Sequence, residues 1–177
     1  MRIELGNDYS LRHFYYGDAM ALTKHGNNPN IARNLRDSFP TPYTIAHARA
    51  WIQHVKEHEA KTRFIIAYKD QAIGEIGFLP QWDVHRFTAE IGYWMSEEHW
   101  GKGVMGKAVA EVSQYAFKTT DIVRLFADVV EYNIGSCKVL EKCGFKREAV
   151  FRNNIFKDGE FYDHFIFGLY RENLRSQ

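Results

Sequence analysis

HWGKGVMGKAVAEV, His99–Val112, is the stretch on which the reading of this chain turns. Gly101, Gly103 and Gly106 fall within six positions, and the residues after them recur at helical spacing. A helix that starts this way offers unpaired N–H groups and the positive end of its dipole, so it can hold an anion. The same glycines equally suit a tight strand-to-helix turn. The Gly-Lys-Ser/Thr of a triphosphate-binding loop is missing, because Ala108 follows Lys107. GKGVMG, 101–106, matches GxGxxG, but it follows a third hairpin strand, not the first strand of a βαβ unit, which speaks against a dinucleotide fingerprint.

Working outward, RFIIAYK, QAIGEIGFLPQW and RFTAEIGYWMS are three β-rich runs, broken by KDQ and DVH, and predict a meander of hairpins upstream of the loop. Before them, DYSLRHF alternates as a first strand, and a helix spans Gly17 to Asn28 and ends in the turn GNNPN. The two prolines of SFPTPYT make a rigid connector, after which Thr44 caps a helix carrying Ile45, Ala48, Ile52 and Val55. Downstream of the loop, Val104, Ala108, Val112 and Tyr115 form a helical stripe and IVRLFADVVE a strand. Asn133 caps a helix that stops at Gly144, and GFKREAVFRN and EFYDHFIFGLY close the chain around the turn KDG. The order of elements is that of one α+β domain, 1–177, with about six to seven strands and about four helices, not a doubly wound βαβα alternation.

Composition narrows the classes further. An apolar fraction of 45% and an aromatic fraction of 15% exclude a disordered chain. With 23 basic and 22 acidic residues the net charge is +1, which gives no electrostatic case for nucleic acid or an anionic membrane. No apolar run approaches the ~18 residues of a membrane span, and MRIELGNDYS shows no secretory signal. Cys137 and Cys143 are about 600° of helical rotation apart, so reduced thiols in a cytoplasmic protein are expected. His54 and His58 stand at i, i+4 with His47 two turns earlier, but HVKEH is not HExxH, and no metal is expected. Cys137 adjoins Ser136 without a marked His partner, which argues against a thiol nucleophile. Phe39, Tyr43, Trp82 and Trp94 are either core or the lining of an acceptor pocket.

Four motifs in order, EIGYW (Glu90–Trp94), WGKG (Trp100–Gly103), NIGSCKVLEKCGF (Asn133–Phe145) and DGEFYD (Asp158–Asp163), resemble the acetyl-CoA-binding core of the GNAT N-acetyltransferase superfamily. The similarity is closer to the RimJ/RimL branch of ribosomal-protein N-terminal acetyltransferases, and the element order fits over nearly the whole chain. The resemblance implies the acyl-CoA N-acyltransferase fold, a single mixed and largely antiparallel sheet flanked by helices. It implies acetyl-CoA as co-substrate, with backbone from Trp94, Met95 and Ser96 pairing the pantetheine arm. The pyrophosphate would sit on Gly101, Lys102, Gly103, Val104, Met105 and Gly106. Against the superfamily's Arg/Gln-x-x-Gly-x-Gly/Ala, Trp100 takes the first place, as is common in the branch, and Met105 the last, where it is bulkier than usual. Lys102 and Lys107 either add charge near the phosphates or are solvated surface.

The chemistry implied is direct attack of a primary amine on the thioester in a ternary complex. It needs a neutral amine, a polarised carbonyl and a proton for the thiolate. Glu90 stands where superfamily members often carry a catalytic glutamate, flanked by Ala89 and Ile91, whose burial would raise its pKa; a structural ion pair is the other reading. The tyrosine many members use as proton donor is replaced by Leu140, and Ser136 matches the branch's substitute, with a helix cap as its alternative. Asn133 is a cap, a cofactor contact, or both. The acceptor implied is a protein or peptide N-terminal amine, with a polyamine, amino acid or aminoglycoside, or a non-catalytic acyl-CoA-binding module, as alternatives. Dimers are common in the family, and the residues leave a homodimer open.

Overall fold

The computed structural model describes residues 2–172. Eight strands, β1 (Arg2–Gly6), β2 (Tyr9–Arg12), β3 (Arg63–Tyr68), β4 (Gln71–Pro80), β5 (Thr88–Met95), β6 (Arg124–Val130), β7 (Lys146–Lys157) and β8 (Glu160–Tyr170), follow one another in the sheet as β1-β2-β3-β4-β5-β6-β8-β7. The helices are α1 (Ala19–Gly26), α2 (Pro29–Ala32), α3 (Ile45–His54), α4 (Val104–Thr119) and α5 (Ile134–Lys142). The β5–β6 pair is parallel, whereas β1–β2, β2–β3, β3–β4, β6–β8 and β7–β8 are antiparallel. This is the expected mixed α+β architecture, with more strands than the sequence suggested. The extra strand is β1, whose five residues bury only Leu5. Its hairpin turns at Asn7 (φ 53°) and Asp8 (φ 64°), two residue types that tolerate the left-handed region. The GNNPN turn likewise holds a short helix, α2, in which the Asn28 side chain caps Asn30 N–H at 2.8 Å and Pro29 takes the first position.

Two compact units divide the chain: one runs to Gly77 and includes Tyr93–Ala108, the other holds Phe78–Gly92 and the residues from Val109 onward. The first unit packs Phe14, Leu22, Ile31, Tyr43, Ile52, Val55, Ile65 and Trp94 into one apolar cluster. Helix α3 joins it because Thr44 caps His47 N–H and because Ala48 and Ile52 point inward four residues apart. Gly74 is required where β4 nears β5: a Cβ there would lie 2.7 Å from Met95 Cα and closer still to the Trp94 carbonyl oxygen.

In the second unit, Leu125, Ala127 and Val129 of β6 are buried, and β8 places Leu169 and Phe167 opposite the first two. The other face of β6 carries half-buried Phe126 and exposed Asp128. Helix α4 buries Val109, Val112 and Ala116 in that unit, an amphipathic stripe of the kind the sequence indicated. None of the described helices is long and apolar enough to cross a membrane.

Candidate active site

The glycine loop hangs from a well-anchored turn. A 3-10 turn, Glu97–His99, follows β5. Glu97 accepts the side-chain amides of Asn28 (2.8 Å) and Asn30 (3.1 Å), and those bonds hold its carboxyl below the usual range. His99 is buried with Nδ1 2.8 Å from the Tyr9 hydroxyl, and its ring packs edge-on against Tyr9. Burial holds both His99 and the buried His25 below the ordinary imidazole value. Trp100 then donates its indole N–H to the Met95 carbonyl at 2.8 Å.

From this anchor the chain enters the loop at Gly101 (φ 73°) and Gly103 (φ 76°), both exposed and both in the left-handed region. A Cβ added at Gly101, Gly103 or Gly106 would meet nothing within 4 Å, so the space above the loop backbone is open. Gly103 is also the N-cap position of α4, and it has no side chain with which to cap. A glycine-opened helix start with room in front of it fits a pyrophosphate. The two lysines are exposed and also bond within the chain: Lys102 Nζ donates to the Glu98 carbonyl at 2.9 Å and Lys107 Nζ to the Leu5 carbonyl at 2.8 Å. Behind the loop, a cleft of about 330 Å³ is bounded by Tyr9, Tyr68, Lys102 and Lys107.

On β5, Trp94 and Met95 are buried. Ser96 donates its N–H to the Ile73 carbonyl at 2.7 Å and accepts His99 N–H at 3.0 Å. Both backbone groups of Ser96 thus serve the chain, as does the Met95 carbonyl that accepts from Trp100. The sequence reading did not single out Glu75. This residue is 7% exposed in the apolar run of β4, accepts the Trp51 indole N–H at 2.6 Å and lies 3.7 Å from the Arg63 guanidinium. Burial pushes its carboxyl up, against the lowering by Arg63 and by the Trp51 and Trp94 indoles. A carboxylate inside AIGEIGF was a visible anomaly in the sequence, but its partners were not.

In the second unit, Glu90 is half-buried on β5, on the face opposite Ala89 and Ile91, both buried. Its parallel partner on β6 is Phe126, and the register covers Thr88–Glu90 against Arg124–Phe126, while β5 continues to Met95 and β6 to Val130. Asn133 caps α5: its Oδ1 accepts Ser136 N–H at 3.1 Å. The cap is therefore the asparagine's side chain, and Ser136 is half-buried one turn into the helix. Cys137 and Cys143 are not joined in a disulfide, and burial pushes both thiols up, which suits neither a nucleophile nor a metal ligand. His54 bonds Glu59 at 3.1 Å, and among the described residues no group of three or more His, Cys, Asp or Glu is placed to hold a metal ion.

Residues 9–146 match the acetyltransferase (GNAT) domain family. The chain is 31% identical over 166 residues to an uncharacterized N-acetyltransferase, p20, of Bacillus licheniformis, covering 90% of this chain and 91% of that protein. It is 35% identical over 132 residues to the probable N-acetyltransferase YjcK of Bacillus subtilis, covering 72% and 73%. Among solved structures, RimL, a ribosomal L7/L12 α-N-protein acetyltransferase in complex with coenzyme A, superposes with a TM-score of 0.83 at 19% identity over 96% of this chain and 98% of that one.

Proposed function

The chain belongs to the GNAT acetyltransferase family, and from that premise we propose that it acetylates a protein or peptide N-terminal amine, with Glu90 as base and Ser136 as proton donor. It is an acetyl-CoA-dependent N-acetyltransferase. The observation that carries the reading is the glycine-opened start of α4, with Gly101 and Gly103 at positive φ beneath open space. Acetyl-CoA supplies the activated thioester. The backbone N–H groups of Gly101–Gly106 hold its phosphates, and the β5 backbone at Trp94 and Met95 orients the arm, with Ser96 and Asn133 beside it. Glu90, half-buried on its sheet face, takes the proton that the attacking amine must lose. Ser136 returns a proton to the departing sulfur. The N-terminal acceptor is supported by the name of RimL, whose fold this chain shares.

The test is steady-state kinetics on Glu90→Gln. The expected result is a fall in kcat of about 10²-fold, the lower range for a lost general base, with acetyl-CoA affinity close to wild type. Unchanged turnover would remove Glu90 from the reaction.

A further inference from the structure

Between α1 and α3 the chain runs through residues 27–44, a longer connection than most, and connections of this length commonly serve function. Ile31 N–H donates to the Asn28 carbonyl, Asn34 N–H to the Ile31 carbonyl, Phe39 N–H to the Arg36 carbonyl, and Tyr43 N–H to the Asn27 Oδ1. Local bonds of this kind fix the shape of a segment but not its place on the unit.

That place is set from the end of β5 at two points. At one, the Phe39 and Tyr43 rings stack at 4.8 Å, and both meet the Trp94 ring edge-on, at 5.9 and 6.5 Å. At the other, the Glu97 carboxylate accepts the side-chain amides of Asn28 at 2.8 Å and Asn30 at 3.1 Å. Asn28 is fixed through both ends of its amide, Oδ1 on the Asn30 N–H and Nδ2 on Glu97. All of these residues lie in the first unit. Glu97 is exposed, so its contacts compete with water and add modestly to stability; what they fix is geometry.

Glu97 is also the first residue of the turn that carries the glycine loop. Its carbonyl accepts the Trp100 N–H at 3.0 Å, one residue before Gly101, and Lys102 closes back on the Glu98 carbonyl at 2.9 Å. One hydrogen-bonded turn therefore holds α2 through its first side chain and leads directly into the start of α4. A displacement of the loop is carried to the Glu97 carboxylate within three bonded residues, and from there to Asn28 and Asn30.

We propose that Glu97 is a positioning residue that couples the phosphate-holding loop to the 27–44 connector, so that acetyl-CoA on the loop tightens the connector on its unit. This rests on the reading of the loop as the phosphate site. Such coupling is reciprocal: what the ligand adds to the order of the connector, a loosened connector takes from ligand affinity.

The test is amide hydrogen exchange of the full chain with and without acetyl-CoA, read by mass spectrometry. In the wild type acetyl-CoA is expected to slow exchange about tenfold in two stretches, 101–107 and 30–35. Glu97→Ala should keep the slowing at 101–107 and lose it at 30–35, and its acetyl-CoA affinity should fall about fivefold by calorimetry, the lower end of such couplings. Glu97→Gln, the milder change, keeps an accepting oxygen and should lose about half of the slowing at 30–35. A purely structural role would lower the melting temperature of both variants and leave the ligand-dependent slowing at 30–35 in place. Slowing at 101–107 with none at 30–35 in the wild type, or slowing at 30–35 that both variants retain in full, overturns the inference while the loop reading stands. No slowing at 101–107 overturns the loop reading, and this inference with it.

Discussion

Two helices of this protein start in opposite ways. At α5 the chain satisfies its own helix end: Asn133 Oδ1 caps Ser136 N–H at 3.1 Å. At α4 the cap position is Gly103, without a side chain, approached through two glycines at positive φ with open space in front. Helix starts carry the same partial positive charge and the same surplus of donors. The difference lies in the residue at the cap position. A start capped by a side chain stabilises the fold and positions the first turn of its helix, here Ser136; a start at glycine lacks that contribution and leaves open space in front of it.

The largest effect expected on this contrast comes from Gly103→Val. A β-branched residue is strained at φ 76° and projects into the open space, so acetyl-CoA affinity should fall about 100-fold, measured by calorimetry, as two or so charge-assisted amide contacts are lost. Unaltered affinity would make the loop only a turn. Gly106→Ala is the sharper probe, because its φ is not positive and its Cβ meets nothing in the chain. Helix propensity predicts a gain of up to about 1 kcal/mol in stability, while acetyl-CoA binding weakens about tenfold. A gain in stability with no loss of affinity would show that no ligand approaches at 106.

At the other helix the signs reverse. Asn133→Ala should cost about 1 kcal/mol, a melting temperature lower by a few degrees, because the cap is lost. Its acetyl-CoA affinity should change less than that of either glycine variant. An equal loss would mean that Asn133 also contacts the cofactor.

The smallest effect concerns the anchor beneath the α4 loop. Burial depresses His99 and His25 in the folded state, so between their folded values and the ordinary imidazole value of about 6.5 the unfolded chain binds more protons. Stability is full above that value and is lost as pH falls through it towards the folded values. Melting curves at decreasing pH should show this loss, and His99→Gln should lessen its slope. An identical slope would place the loss on other groups.

Much of this was legible in the linear chain. The three hairpin strands, the Thr44 and Asn133 caps and the glycine loop all follow from residues a few positions apart, which is the range of propensity, capping and turn chemistry. The short β1 was not, because RIEL has too little pattern to distinguish it from a frayed end, and only pairing with β2 makes it a strand. The partners of Glu75 were not either. Nothing near AIGEIGF says that Trp51 on α3 and Arg63 on β3 would meet its carboxylate. The two lysines beside the loop are exposed, and each also donates to a backbone carbonyl that the sequence does not point to.

The sequence by itself determined the element types, the glycine-opened start of α4 and the family. These rest on local spacing and on motifs whose meaning does not depend on distant contacts. Only the tertiary structure decided that Glu90 pairs with Phe126, that Asn28 and Asn30 meet the Glu97 carboxylate, and that Ser96 spends its backbone on β4 and its own turn. Register is the physical reason. A slip of one residue moves every side chain of a strand to the opposite face, and register is set by pairing between segments far apart in the chain.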